Sequence, residues 1–333
     1  MKKYSFLFFS ALMAFSCTNE IELVQVQNYG PTQGTSYQVS YLVPSGTTFQ
    51  NKIDSILYAV DLNLSVWVET SGISKLNTGD TLRKRDYPLL VNVIDSSRKY
   101  FDQTDAFFDI TIEPLIQLWG FYSKGGGIPD SARIDSVLKL VGWKHYHDNG
   151  KLIWLDEGSG LDVNGIAQGY SVDLIAEFLS QKGIQHFMVE VGGEVRAKGK
   201  NVDERIWRIG IDKPVEAIEY DRLQEIISLS NSSLATSGNY RKYKTDPITG
   251  KKYGHSVNSR SGYPEESDLL SATVLSHSAT RSDAWGTAMM VAGLERTKEI
   301  MQSNKGLQAY WILTDRKGQW MVKTTEGFQF LLD

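Results

Sequence analysis

With one cysteine in 333 residues, Cys17, the chain cannot form an internal disulfide. Beyond that position no thiol exists to act as a nucleophile or a metal ligand, so any chemistry must use oxygen and nitrogen groups. Positive charge is not in excess either: 35 Lys and Arg stand against 39 Asp and Glu, a formal net charge of −4. No basic field would draw in nucleic acid, which is excluded as a partner, and a phosphate-bearing ligand must be held by local features. The dinucleotide fingerprint Gly-x-Gly-x-x-Gly and the P-loop ending Gly-Lys-Ser/Thr are both missing. So are internal repeats, low-complexity tracts and a regular strand–helix alternation. The last absence favours α+β with mixed or antiparallel sheets flanked by helices over a doubly wound parallel sheet.

What the first 16 residues do contain is MKKYSFLFFSALMAFS. Two lysines, an apolar run of about a dozen residues and a small residue form the layout of a secretory signal, too short to span a membrane. Cys17 follows at once and resembles the lipidation site of bacterial lipoproteins, although Ala14 and Phe15 depart from the usual residues there. The alternative is a chance thiol inside an uncleaved signal. Residues 17–32 are polar and aperiodic and read as a lipid-anchored tether, with one folded domain over 33–333.

Within that domain, alternation over Gly34 to Val43 predicts a strand, and Phe49, Ile53, Ile56, Leu57, Val60 and Leu64 predict an amphipathic helix. A second helix is expected over Leu89 to Phe101 and a flexible loop at Gly125 to Gly127. Leu152 to Leu155 reads as a strand leading through Asp162 to Gly165 into a helix that Gly183 stops. Further strands are expected at Phe187 to Val191, Trp207 to Ile211, Ile226 to Leu229, Ala272 to Leu275, Tyr310 to Leu313 and Trp320 to Val322, with a helix from Asp283 to Ala292 closed by Gly293.

Three segments carry candidate chemistry. In Asp162-Val163-Asn164-Gly165-Ile166-Ala167-Gln168-Gly169-Tyr170, a carboxylate before a helix caps free amides and glycines admit a ligand to the backbone; an ordinary cap with packing glycines has the same pattern. Asp283 and Thr287 are four apart on a helix, so a carboxylate and a hydroxyl share one face as hard oxygen ligands for Mg²⁺, or Asp283 merely favours a helix start and Thr287 packs. In the loop His255 to Gly262, His255 and Arg260 supply a base and an anion clamp, or are surface residues.

Taken in order, these segments and others resemble the blocks of the ApbE family across nearly the whole folded chain. Gln33-Gly34-Thr35-Ser36-Tyr37 is similar to its opening Met-Gly-Thr-x-Tyr, with Gln33 for Met. Leu64 to Trp67 with Ser71 to Asn77, and Asp105 to Phe121, resemble the next two blocks. Asp162 to Tyr170, Val191-Gly192-Gly193-Glu194, Ala235 to Tyr240, the His255 loop and Asp283 to Gly293 resemble the rest. Gln168 replaces a usual Lys or Glu, and Asn258-Ser259 replaces Asp-Pro before Arg260.

The resemblance implies an ApbE-like α+β fold and a Mg²⁺-dependent enzyme that takes FAD and attaches its FMN half to a Thr or Ser hydroxyl of an acceptor protein, often a subunit of a membrane redox complex. It places FAD against Gln33, Trp67, Phe107, Phe108, Asp109, Asp162, Gln168 and Val257. It places the ion on Asp283, Thr287 and backbone oxygens at Gly165 and Gly286. His255 is then the candidate base and Arg260 an anion clamp or loop anchor. The alternatives are a Mg²⁺-dependent FAD pyrophosphatase and a non-catalytic FAD-binding lipoprotein. With Cys17 acylated, the expected location is the cell envelope, on a bacterial membrane and facing the periplasm.

Overall fold

The computed structural model describes residues 22–332 apart from 122–126, 216–222, 240–242, 266 and 316. The signal segment, Cys17, Gly125, Gly126 and Tyr240 lie outside the described residues.

The chain opens on a hairpin of β1 (Leu23–Thr32) and β2 (Thr35–Pro44). Helices α1 (Gln50–Leu64) and α2 (Gly72–Asn77), the short strand β3 (Leu82–Arg83) and helices α3 (Pro88–Gln103), α4 (Glu113–Trp119) and α5 (Ser131–Leu138) follow. Next come β4 (Tyr146–Asp148), β5 (Leu152–Leu155), α6 (Ala167–Gln181), β6 (Phe187–Val191), β7 (Glu194–Lys198), β8 (Trp207–Asp212) and β9 (Leu223–Leu229). The last third holds β10 (Ser232–Gly238), β11 (Tyr243–Thr245), β12 (Lys252–Gly254), β13 (Leu269–Ser276), α7 (Ala279–Met301), β14 (Gln308–Thr314) and β15 (Trp320–Thr324).

Eight strands form one sheet in the order β1-β2-β6-β7-β10-β13-β14-β15. Every neighbouring pair in it is antiparallel. Side chains alternate between its faces. Val39, Val189 and Val191 meet Ile175 and Leu179 of α6 and Ile53 and Leu57 of α1, while Ala272, Val274 and Trp311 meet Trp285 and Met289 of α7, backed by α3. From the opposite face Leu234, Leu275 and Ile312 pack under the β8–β9 ribbon.

Two expectations change. Residues 23–32 are not part of a tether: they pair with β2 along their whole length. As an edge strand β1 is held by backbone hydrogen bonds, and its buried contacts include polar ones, Asn28 accepting from the Tyr41 hydroxyl at 2.6 Å. An apolar alternation was therefore not needed to make it a strand. Likewise α7 starts at Ala279, a turn ahead of Asp283; Gly293 (φ 70°, ψ 171°) closes its first helical stretch as expected, and a second stretch runs on from there to Met301. The early start is set locally and from α6: Ser278 Oγ accepts from the Arg281 amide at 3.2 Å, and the Asp173 carboxylate accepts from the Ala279 and Thr280 amides at 3.0 and 2.9 Å, satisfying donors that a helix start leaves free. The Asp173 contact docks the start of α7 against the middle of α6.

Candidate active site

Twelve of the residues expected at the site, Gln33, Trp67, Phe107, Phe108, Asp109, Asp162, Gly165, Gln168, His255, Val257, Asp283 and Thr287, line one cleft of about 460 Å³. Gly286 and Arg260 do not line it.

The floor is built where α6 and α7 meet. A Cβ at Gly169 would stand 2.4 Å from the Ala279 carbonyl oxygen and 2.8 Å from the Asp283 Cβ, so only glycine permits this approach. The Gly169 amide then donates to Asp283 Oδ2 at 3.0 Å. Asp283 is 5% exposed, and burial pushes its carboxyl up to about 7, with the Gly169 amide opposing that rise. One turn along α7, Thr287 faces the loop before α6: a Cβ at Gly165 would stand 2.7 Å from Thr287 Oγ1. Gly286 brings α7 close to β10, where a Cβ would stand 2.8 Å from Ser237 Oγ. The loop itself is pinned from outside, the Asp162 amide donating to the Ile110 carbonyl at 2.6 Å and the Leu161 amide to Asn77 Oδ1 at 2.8 Å.

Gln33 reaches the cleft from the β1–β2 turn, where Gln33 and Gly34 both have positive φ (48° and 73°), as a two-residue hairpin turn requires. Its amide donates to Ser171 Oγ on α6 at 2.7 Å. Asp109, on the cleft wall, is largely buried and accepts from the Thr111 amide at 2.9 Å and hydroxyl at 2.7 Å. Burial raises its carboxyl, while Thr111 and the Ser259 hydroxyl work in the opposite direction. Ser259, one of the departures from the family pattern, thereby links the His255 loop to this turn.

The three aromatic residues differ. Trp67 stands on the rim, 67% exposed. Phe107 carries the Arg260 guanidinium over its ring at 5.0 Å. Phe108 is 2% exposed and edge-on to Tyr100, so it serves as a core residue reaching the wall and not as an open stacking face. Arg260, expected as a catalytic anion clamp or a loop anchor, takes the second part. It binds the Asp105 carbonyl and, at 3.0 Å, the Asp105 carboxylate, which also pairs with Arg296 at 2.6 Å. Those pairs hold Asp105 and Ala106 at positive φ (51° and 60°), a costly conformation for non-glycine residues that sets where Phe107 points.

The loop that carries half-buried His255 is fixed at both ends. Ser256 Oγ donates to Asn239 Oδ1 at 2.8 Å, and Trp119 Nε1 donates to the Gly262 carbonyl at 2.9 Å. Val257 packs into the core cluster of α4 and α5.

Glu194 carried no role in the sequence reading, although its Gly-Gly-Glu turn was visible. It lines the same cleft, is 7% exposed, and its Oε2 has no hydrogen-bond partner among the described residues. Burial, and after it the neighbouring Asp283 charge, push its carboxyl well above the ordinary range. Among the described residues no helix is long and apolar enough to cross a membrane.

The family model of the ApbE family matches residues 33–311. A FAD:protein FMN transferase of Vibrio cholerae serotype O1 is 31% identical over 332 residues, covering 96% of this chain and 93% of that protein. One of Salmonella typhimurium is 29% identical over 314 residues, covering 90% and 88%. Among solved structures, the flavin transferase ApbE from Vibrio cholerae superposes with a TM-score of 0.80 at 28% identity, over 93% of this chain and all (100%) of that one. The apo form of the Pseudomonas stutzeri flavinyl transferase ApbE gives 0.81 at 29% identity, over 93% and 96%.

Proposed function

The chain belongs to the ApbE family, and from that membership and the cleft we propose that it is a Mg²⁺-dependent flavin transferase, which splits FAD, links the FMN half to a Thr or Ser hydroxyl of an acceptor protein and releases AMP. The observation that carries this reading is that His255, from the loop after β12, and Asp283 and Thr287, from the first turns of α7, line one cleft. A base and a hard-oxygen ligand set in one cleft suit phosphoryl transfer, in which positioning and charge stabilisation supply most of the catalysis.

The donor set fits Mg²⁺. Asp283 offers a carboxylate whose burial disfavours its charge, so a cation supplied from outside improves it. The glycine cradle at Gly165 leaves the Thr287 hydroxyl beside bare backbone. Asp283, Thr287 and backbone oxygens at Gly165 and Gly286 would hold the ion. When bound, it neutralises charge that develops on the pyrophosphate.

The remaining chemistry belongs to the chain. An acceptor hydroxyl attacks the phosphorus of the FMN half. A new P–O bond forms, the anhydride bond to AMP breaks, and His255 takes the hydroxyl proton as general base. Asp283 keeps its orientation through the Gly169 amide, and Asp105 and Arg260 steady the wall that bears Phe107. Trp67, exposed on the rim, would cover the flat flavin ring. The acceptor is a protein with a Thr or Ser flavinylation motif, of the kind found in a membrane redox complex. The proposal includes acylation of Cys17 and a periplasm-facing place on the cell envelope, supported by the charged and apolar segment before that residue.

Purified protein with FAD, Mg²⁺ and an acceptor protein tests the reading: FMN fluorescence on the acceptor supports it. Free FMN with a bare acceptor would replace it by a pyrophosphatase, and intact FAD by a carrier.

A further inference from the structure

We propose that Glu194 is a second carboxylate of the divalent-cation site, so that the cation sits between Asp283 and Glu194 and not on Asp283 alone. The inference rests on the cation reading above and adds a ligand to it. Three elements converge on this part of the cleft: Asp283 and Thr287 from α7, Gly165 from the loop before α6, and Glu194 from the first position of β7. Glu194 is aimed there by the turn before it. Gly192 and Gly193 both have positive φ (63° and 108°), and a Cβ on Gly192 would stand 2.5 Å from the Gln168 amide nitrogen. The turn is therefore restricted to glycine, and the residue after it is thrown onto the cleft wall.

What Glu194 meets there is the informative part. It is more than nine-tenths buried, yet Oε2 has no partner among the described residues. A buried polar atom left in that state costs free energy whether the carboxyl is charged or neutral, because the neutral form still carries an unpaired group. Its charged neighbours are Asp283 and Glu190, both of the same sign. Arg196, two residues along the strand, is turned to Asp173 at 2.7 Å. Two buried carboxylates beside the Thr287 hydroxyl and the Gly165 backbone are a donor set for a hard divalent cation. The cation would satisfy both acids at once, which explains an arrangement that is unfavourable for the protein alone.

Cation binding measured directly, without FAD, is the test. Mn²⁺ titrated into the wild type, Glu194→Gln and Glu194→Asp, with free Mn²⁺ read by electron paramagnetic resonance, should show weaker binding in the Gln variant by about 10-fold or more. The Asp variant keeps the charge on a shorter arm and should bind more tightly than the Gln variant. Thermal melting without cation should be as high in the Gln variant as in the wild type, which excludes a general loss of structure. Unchanged Mn²⁺ affinity in a folded Gln variant would overturn the role of Glu194 while leaving the cation reading intact, and so would Gln and Asp variants that bind alike. Absence of Mn²⁺ binding in the wild type would overturn both.

Discussion

Replacing Asp283 by Asn should stabilise the cation-free protein most above neutral pH and leave it unchanged only in acid below the unfolded carboxyl value. The Asp283 carboxyl rises from 3.8 to about 7 on folding because it is buried with one amide donor. A group raised in this way contributes its stability in full below the unfolded value and loses it as pH climbs through the folded value, since the folded state holds the proton and the unfolded state does not. A gap of roughly 3 pH units at about 1.4 kcal/mol each makes the ionised wild type about 4 kcal/mol worse than a neutral isostere at pH 8. Asn keeps an oxygen for the Gly169 amide and carries no charge. Unfolding entropy of about 2 cal/mol/K per residue converts this to a melting temperature roughly 6 °C higher for the variant at pH 8. At about pH 3, below the unfolded value, the two proteins should melt together, and at pH 5 a little over a third of the difference should remain. Mg²⁺ at pH 8 should raise the wild type by mass action and leave the variant nearly unmoved. Melting followed by near-ultraviolet circular dichroism at these pH values, with and without Mg²⁺, decides it. A variant less stable than wild type at pH 8, or a difference that stays as large at about pH 3, would refute the reasoning.

His255→Ala should lower the rate of FMN transfer at saturating FAD by roughly 10²- to 10⁴-fold, with FAD affinity little changed, as equilibrium fluorescence and single-turnover rates will show. Weakened FAD binding with an intact rate would assign His255 to ligand binding instead. Gly169→Ala should cost about 1–3 kcal/mol in urea unfolding, beyond any helix preference for Ala, because the new methyl meets a backbone carbonyl that cannot turn away. Cys17→Ser should release the protein from the membrane fraction, and retention equal to wild type would exclude the lipid anchor.

Much of this fold is written locally. Val39 and Tyr41 alternate, Ile53, Leu57, Val60 and Leu64 repeat at helical spacing, and Phe187 to Val191 is an apolar run; each became the element its period predicts. The misses have long-range causes. Strand β1 depends on its pairing with β2 more than on its own side chains. The first turn of α7 draws, beside its local cap Ser278, a second cap from Asp173, 106 residues earlier for the Ala279 amide. Arg260 finds Asp105 across 155 residues, and nothing local distinguishes that anchor from an anion clamp. The cleft's Asp, Thr and His positions were visible through the order of the motifs, whereas the demand that Glu194 makes on its surroundings exists only once α7 buries it beside Asp283.

The central claim is that FMN passes from FAD to a protein hydroxyl in the cleft shared by His255, Asp283 and Thr287. Intact-mass spectrometry of an acceptor protein incubated with this chain, FAD and Mg²⁺, with AMP measured alongside, tests it most directly. The account predicts one FMN added to a Thr or Ser of the acceptor for each AMP released, and none with Asp283→Ala; AMP released with an unmodified acceptor, or equal transfer by the variant, would contradict it.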